Sequence, residues 1–351
     1  MKGITFGAMD LDRSRFHLID QNLDRIKRNG FNSITLIIDW YVENYEDPRV
    51  SPRYVGEPFP ETGWFAPSLS HDEIKSISRK ARARGLGVVL KMHIDTLDWP
   101  FGGKGRYAIP PSKELWDNYE KFAIDTAKIA EEIEAQVLFI GTETDALQRS
   151  VGNWKKIVVA VRANYSGPIS YAASFNASSE FKAPRGGQAV SKCGACNVSI
   201  WGSMDFIGFE PYVGLSNDKD ASLDELKHGV RRAIDLVIAP IGKKYGKKIL
   251  IPELNFYSFD GVATNPISLD TSKYKVDEMP QDHNEQAMAY QAWLEVMNED
   301  RYRDLFAGVI LWAGYLREES SKLKHRVHRS KRDLIWGKSA ENTIRNVFAD
   351  W

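Results

Sequence analysis

Two glutamates occupy an unusual place in the chain, at the ends of short apolar runs. Glu143 ends the run "QVLFIGTE" and Glu253 follows "ILIP", with Gly141 and Pro252 as small or cyclic neighbours. Two carboxyl groups that face each other across a cleft can cleave a glycosidic bond. One protonates the leaving oxygen, and the other attacks the anomeric carbon or activates water. A separation of about 5–5.5 Å gives retention of configuration and a wider one gives inversion, and the sequence does not fix this distance.

Other side chains suited to binding sugars also follow apolar runs. Sugar rings present C–H faces that stack on aromatic rings, and their hydroxyls hydrogen-bond to Asp, Asn, His and Lys. The residues that we expect to bind substrate are Trp40, Tyr41, Lys91, His93, Asp95, Asn176, Tyr212, Asn255 and Trp312. Further aromatic candidates at or just beyond strand ends are Trp99, Phe175, Trp201, Phe256 and Tyr315.

The elements that must position these residues alternate regularly. Runs predicted to be strands span 3–9, 33–41, 87–95, 136–143, 168–174, 205–212, 248–255 and 307–315. Amphipathic patterns that predict helices include 18–30, 71–85, 112–133, 222–246, 284–299 and 338–351. Near-continuous apolar runs are typical of parallel strands that are buried on both faces.

Eight strands alternating with helices predict an α/β fold, a single (β/α)8 TIM barrel over residues 1–351. Its active site should lie at the C-terminal ends of the strands, where the polar residues above converge. Ser70 and Ser112 resemble helix N-caps, and Gly30 and Gly85 resemble helix stops. A doubly wound sheet is the rival fold, but "FGAMDLDRSR" after the first run is not a Gly-rich phosphate turn.

The amino-acid composition argues against nucleic acid and membranes as binding partners. The chain has 351 residues, 43% hydrophobic, with 47 basic and 47 acidic side chains. With equal numbers of basic and acidic side chains, the protein as a whole has no net electrostatic attraction to nucleic acid or to an anionic membrane. No stretch reaches the roughly 20 apolar residues of a membrane span. The start, "MKGITFGAMD", shows no apolar signal segment. The sequence therefore leaves open a cytoplasmic protein or a secreted one whose leader has been removed, and it is silent on oligomeric state.

The two cysteines, Cys193 and Cys196 in "CGAC", are too few for a disulfide framework. They leave three interpretations open, namely loop thiols, a local disulfide, or two metal ligands that would need histidines to complete a site. We expect no cofactor and no metal ion.

The motifs resemble those of clan A glycoside hydrolases, and more narrowly of glycoside hydrolase family 113, whose known members are β-1,4-mannanases. The matching pieces, in chain order, are "KGITFGA", "WY", "LKMHID", "GTE", "SGPISYAA", "DFIGFEPYVGLS", "YGKKILIPELNFYSFDG", "AGVILWAGY" and "WGKSAENTI". They span nearly the whole chain. The resemblance implies a retaining (β/α)8 hydrolase that cleaves β-1,4-mannosidic bonds in mannan or manno-oligosaccharides, without a cofactor.

The resemblance also implies roles for individual residues. Glu143 matches the acid/base, and Glu253 matches the nucleophile. Tyr212 matches a tyrosine that contacts the nucleophile, and Trp312 matches the aromatic floor of the subsite that holds the attacked sugar. The strand-three residues His93 and Asp95 match groups that bind sugar hydroxyls. Two departures from the family pattern are Ser174, followed by Asn176, on strand five and Glu210-Pro211 before Tyr212.

Three alternatives stay open. The basic run "KLKHRVHRSKR", 322–332, could bind an anionic glycan, so that another β-linked polysaccharide would be the substrate. A barrel that binds glycans without catalysis would keep the cleft and the aromatic residues. A metal-dependent hydrolase could use His93, Asp95 and "CGAC", although no HxH or HExxH motif supports it.

Overall fold

The strands of the barrel fall where the apolar runs predict them. The computed structural model describes residues 1–7, 13–59, 65–98, 104–174, 198–264, 266, 280–312 and 334–351. The strands are β1 (Lys2–Gly7), β2 (Ser33–Val42), β3 (Gly87–Thr96), β4 (Val137–Thr142), β5 (Ile169–Ser174), β6 (Ile207–Glu210), β7 (Ile249–Leu254) and β8 (Phe306–Leu311). They form a closed barrel in chain order, with β8 pairing in parallel with β1. The predicted TIM-barrel fold is confirmed.

Helices surround the barrel and supply its outer layer. They are α1 (Ile19–Arg28), α2 (His71–Arg82), α3 (Lys113–Glu132), α4 (Val151–Arg162), α5 (Leu223–Ala233), α6 (Ala239–Tyr245), α7 (His283–Met297) and α8 (Ser339–Ala349). A π-helical turn, Ile234–Ile238, joins α5 to α6, so the pattern at 222–246 is one continuous helical segment. The described helices include none with the length and hydrophobicity needed to cross a bilayer.

Local capping chemistry sets the helix ends. Ser70 accepts from the backbone N–H of Glu73, and Glu73 reaches back to the backbone of Ser70, which makes a capping box at the start of α2. Ser112 accepts from the backbone N–H of Leu115 at the start of α3. Gly30 and Gly85 have φ of 84° and 67°, the left-handed conformation that ends helices without strain. The predicted caps and stops are confirmed.

Two of the apolar clusters formed by the described residues lie on opposite sides of the barrel wall. The larger cluster lies between the strands and the surrounding helices. The smaller one consists of Val89, Val137, Phe139, Ala172, Leu250 and Ile310, which come from five different strands and so fill the barrel interior. Met1 packs against this inner cluster, which places it at the N-terminal end of the barrel. The polar groups described below lie above this apolar floor.

Several residues singled out in the sequence lie outside the described residues. These are Trp99, Phe175, Asn176, Cys193, Cys196, Tyr315 and the basic run 322–332. The expectations attached to them remain predictions.

Gly141 provides a test of how tightly β4 is held. A Cβ added there would lie 2.7 Å from the Tyr119 hydroxyl, 2.9 Å from Trp154 and 3.0 Å from Tyr171. Gly141→Ala should therefore lower the free energy of unfolding by about 1–3 kcal/mol through overpacking, measured by urea denaturation. The matched control is Gly152→Ala in α4, where nothing lies within 4 Å of the added Cβ. It should be neutral or stabilising by up to about 1 kcal/mol, and equal losses in both variants would contradict the packing argument.

Candidate active site

One strand carries a series of polar side chains into the barrel. Alternate residues of a strand point to the same face, so Lys91, His93 and Asp95 of β3 share the inward face with Val89 of the apolar floor. Their exposed fractions are 0%, 1% and 5%. Asp39 of β2 is the register partner of His93 and is also buried. β2 and β3 therefore bring a group of ionisable side chains to the C-terminal half of the barrel.

Lys91 carries a fully buried charge, and its contacts connect three strands. Its Nζ donates to Oε1 of Glu210 on β6 at 2.6 Å and also to Oε1 of Glu253 on β7. Burial alone would lower the pKa of Lys91, but the two carboxylates outweigh it and raise the pKa above its usual value. Lys91 is therefore a buried ammonium group. It has no exposed surface and contacts other groups of the site, and the expectation that it binds substrate stays a prediction.

Glu253 is held from the other side by a tyrosine. The hydroxyl of Tyr212 donates to Oε2 of Glu253 at 2.7 Å, and Nε2 of His93 lies 4.0 Å from Oε1. Burial and the carboxylates of Glu253 and Glu210 raise the pKa of Tyr212 well above 10, so the hydroxyl remains a donor. Lys91 and Tyr212 thus each engage one oxygen of Glu253.

Glu143 reaches the cleft through an unusual backbone conformation. β4 ends at Thr142, and Glu143 follows with φ of 49°, which is uncommon for a residue other than glycine and is often found at functional sites. Its backbone N–H donates to the carbonyl of Ala172 at 2.9 Å. The Glu143 side chain is 34% exposed, against 9% for that of Glu253. The two carboxyl groups thus differ in their access to solvent.

Both glutamates come at breaks in regular strand pairing. The register shifts between Phe139 and Thr142 on β4, and between Ile251 and Leu254 on β7. Such irregularities re-aim side chains and are enriched beside active sites. Gly141 and Pro252, noted above as neighbours of the glutamates, lie within these two segments, and both residue types weaken regular pairing inside a strand.

Arg106 links the two halves of the site and was missed by sequence reasoning. It lies in a 3-10 turn, Arg106–Ala108, after β3. Its guanidinium nitrogens lie 2.7 and 3.0 Å from Oδ1 of Asp95, and its Nη1 lies 3.9 Å from Oε2 of Glu143. Contacts of 4.0 Å or less therefore run from Glu253 through His93, Asp95 and Arg106 to Glu143. No motif marks a lone arginine in a loop, so no signal in the sequence could have identified Arg106.

A second acid group lies beside Glu143. The hydroxyl of Ser174 is within hydrogen-bonding distance of both Glu143 Oε1 (3.4 Å) and Asp145 Oδ1 (3.3 Å), and Gln148 donates to Asp145 at 2.7 Å. Burial and the nearby Glu143 raise the pKa of Asp145 to about 7.

Asp39, His93 and Asp95 form a compact trio whose ligand atoms lie within 4.8 Å of one another. Within the described parts of the chain, Asp39 Oδ1, both ring nitrogens of His93 and Asp95 Oδ2 have no hydrogen-bond partner. Burial, with the charges of Arg106 and Lys91, lowers the pKa of His93 well below 6.5. Burial and Asp95 raise that of Asp39. The trio has the donor types of a metal site, and the same atoms could equally bind sugar hydroxyls.

The aromatic candidates divide into two groups. The Trp312 ring is parallel to His93 at 6.0 Å between centroids, and Lys91 Nζ lies 5.5 Å from its centre. Trp312 therefore borders the polar cluster, and Tyr212 does so through its bond to Glu253. Asn255 is buried, with its Oδ1 3.4 Å from the Tyr290 hydroxyl.

The other aromatic candidates among the described residues pack elsewhere. Trp40 stacks on Phe122 of α3. Tyr41 has no exposed surface and donates to the carbonyl of Ala66. Trp201 and Phe256 are likewise buried in the outer core. These rings take part in packing, and sugar binding by Trp40 and Tyr41 stays a prediction.

The comparisons with known proteins identify a family and a fold. The sequence model described as Glycoside Hydrolase Family 113 matches residues 5–327. None of the curated proteins matches the chain.

Solved structures share the fold at low sequence identity. A Glycoside Hydrolase Family 113 β-1,4-mannanase solved as a complex is 20% identical, with a TM-score of 0.75 over 100% of this chain and 99% of its own. The family 113 β-mannanase AaManA from Alicyclobacillus acidocaldarius, in complex with ManMIm, is 19% identical, with a TM-score of 0.71 over 100% and 97%. The endo-1,4-β-D-mannanase of Thermotoga petrophila RKU-1 is 15% identical, with a TM-score of 0.61 over 99% of both chains.

The raised pKa of Asp145 predicts a pH effect on stability. The folded protein keeps this proton up to about pH 7, whereas the unfolded chain loses it near pH ~4. The folded state thus binds more protons between these values, and this group lowers the free energy of unfolding as the pH rises through that window.

Asp145→Asn should remove this effect. The free energy of unfolding of the variant, relative to that of the wild type, should increase between pH 5 and pH 7 by up to about 1.4 kcal/mol per pH unit, measured by urea denaturation. The control Asn153→Ala on α4 changes no ionisable group and should give the same difference from wild type at both pH values. A difference for Asp145→Asn that does not grow with pH would refute the assignment.

Proposed function

Because the chain belongs to Glycoside Hydrolase Family 113 and is a glycoside hydrolase, we propose that it cleaves β-1,4-mannosidic bonds with retention of configuration. The substrate would be mannan or manno-oligosaccharides. The observation that carries the proposal is that Glu143 and Glu253 belong to one connected polar cluster at the C-terminal ends of the strands.

The proposed mechanism is a double displacement. One oxygen of ionised Glu253 attacks the anomeric carbon and forms a glycosyl ester, while Glu143 gives its proton to the leaving oxygen. Glu143 then takes a proton from water, which attacks the anomeric carbon and releases Glu253 as a carboxylate. The more exposed Glu143 suits the group that meets both the leaving sugar and water, and the enclosed Glu253 suits the nucleophile.

The surroundings of each glutamate support these roles. Tyr212 and Lys91 donate to the two oxygens of Glu253 and so hold its carboxyl group in position. Arg106, 3.9 Å from Glu143, favours the charge that Glu143 acquires after it has given up its proton.

The proposed substrate rests on family membership and on the site. The similar structures reported above are described as β-1,4-mannanases or β-mannanases. His93, Asp95 and Trp312 offer the hydrogen-bonding atoms and the ring face that a neutral sugar needs, and Asn255 adds a buried amide. We also propose that residues 1–351 form one catalytic domain, because β1 and β8 close a single barrel and α8 packs on α7.

The central test replaces each glutamate with its uncharged isostere. Glu253→Gln should lower turnover by at least ~10³-fold on every substrate, because no nucleophile remains. Glu143→Gln should lower hydrolysis of manno-oligosaccharides by about 10²–10⁴-fold. It should form the glycosyl ester readily from an aryl β-mannoside whose leaving group needs no proton. Unimpaired hydrolysis by Glu253→Gln would refute the assignment.

Product analysis separates the remaining alternatives. Proton NMR of the first product should show the β anomer, whereas the α anomer would indicate inversion. A panel of β-linked glycans, including an anionic one, should show the highest rate on mannan. Binding without release of reducing sugar would instead indicate a non-catalytic barrel. Turnover should persist after exhaustive treatment with EDTA, and its loss would point to metal-assisted hydrolysis by the Asp39, His93 and Asp95 trio.

A further inference from the structure

We propose that Glu210 is the fixed counter-ion of Lys91, and that this pair positions the nucleophile and keeps the site neutral when the charge of Glu253 disappears. Glu210 contacts no substrate in this role, so it is a positioning residue. The inference rests on the proposed double displacement, because only that mechanism converts Glu253 into a neutral ester.

The geometry places one ammonium group between two carboxylates. Lys91 Nζ donates to Glu210 Oε1 at 2.6 Å and to Glu253 Oε1. The side chains of Lys91 and Glu210 are both 0% exposed. Water therefore cannot compensate a charge that either partner leaves behind, and a buried charge without a partner is strongly unfavourable.

The reaction moves one negative charge across the site. When Glu253 forms a bond to the anomeric carbon, its carboxylate becomes a neutral ester. The Glu143 proton passes to the leaving oxygen, so Glu143 becomes a carboxylate. Net charge is conserved, but the negative charge moves away from Lys91 and toward Arg106, whose Nη1 lies 3.9 Å from Glu143. After this step Lys91 has lost one of its two partners.

Glu210 is the partner that remains. It takes no part in bond making, so its contact with Lys91 is available both before and after glycosylation. Burial, and then the charge of Glu253, raise the pKa of Glu210 well above its usual value. When the ester forms, the negative charge of Glu253 disappears and no longer raises the pKa of Glu210. The ionised form of Glu210 is therefore favoured more in the glycosyl-enzyme than in the free enzyme. Without Glu210, Lys91 would be a buried cation with no counter-charge in the intermediate.

Glu210→Gln tests this role. The substitution should slow formation of the glycosyl-enzyme by roughly 10²-fold or more, measured as the burst of aryl alcohol from an activated aryl β-mannoside in single turnover. KM should change much less than kcat, because Glu210 has no exposed surface to offer a substrate. A burst rate equal to that of the wild type would overturn the proposal.

The double variant Lys91→Met/Glu210→Gln distinguishes a charge effect from a loss of packing. Because Lys91 also holds Glu253, Lys91→Met alone should be slow. The double variant should be no slower than Lys91→Met, because Glu210 has no counter-ion role once the cation is gone, a non-additive result expected of a coupled pair. Two purely structural losses would add, so a double variant slower than Lys91→Met by the full factor lost in Glu210→Gln would overturn the proposal.

A conservative variant gives a comparison that does not depend on how well Glu210→Gln folds. Glu210→Asp keeps the counter-charge and should keep the burst rate within about 10-fold of the wild type. A loss of about 10²-fold or more in a folded Glu210→Asp protein would overturn the proposal.

The matched control is Glu285→Gln. Glu285 is also a buried carboxyl group, but it accepts from the backbone N–H groups of Gly261 (2.6 Å) and Ala263 (2.9 Å). This substitution should lower the melting temperature and leave the burst rate unchanged. If it slowed the burst as much as Glu210→Gln does, loss of any buried carboxyl group would explain both results and the proposal would fail.

The proposed function and the counter-ion role fail in different ways. An inverted product would show that no ester forms, and both proposals would be wrong. A retained product together with a wild-type burst in Glu210→Gln would overturn the counter-ion role alone. A retained product, a slow Glu210→Gln burst and a double variant no slower than Lys91→Met would support both.

Discussion

The site depends on the ion pairs that Lys91 makes inside the closed barrel. An ammonium group with no exposed surface is tolerated only if carboxylates contact it directly, and here they come from β6 and β7, across the barrel from β3. The apolar cluster around Val89 and Phe139 lies beneath these charges and excludes water from the N-terminal end. The same contacts that compensate Lys91 therefore also fix the position of Glu253.

Two local departures from regular structure complete the site. A uniformly paired strand alternates its side chains between the core and the barrel interior, and the register shifts on β4 and β7 interrupt this alternation just where the two glutamates occur. The left-handed backbone conformation at Glu143 also raises the free energy of the folded state locally, and the regular structure elsewhere must compensate for it. Aromatic packing by Tyr119, Trp154 and Tyr171 around Gly141 holds this segment.

The sequence predicted what depends on local patterns and missed what depends on contacts across the barrel. Apolar runs, capping residues and glycines marked every strand, the end of α1, both ends of α2 and the start of α3, because those signals lie within a few residues of one another. Arg106 lies in a loop turn, and nothing near it in sequence marks its contact with Asp95. Tyr41 lies near the C-terminal end of β2, where a sugar-binding residue is expected, but its ring packs against Phe59 and Phe65. Whether an aromatic ring at a strand end faces the cleft or packs in the core depends on loops that are distant from it in the sequence.

The alternating side chains of β3 limit how this protein can change during evolution. Val89, Lys91, His93 and Asp95 share one face, while Leu90, Met92 and Ile94 belong to the outer core. Inserting or deleting one residue within the strand would turn these side chains to the opposite faces of the strand. The three ionisable groups would then point into the apolar outer core. Sequence length in β3 should therefore be invariant among functional descendants, and variation in length should accumulate in the loops that follow the strands.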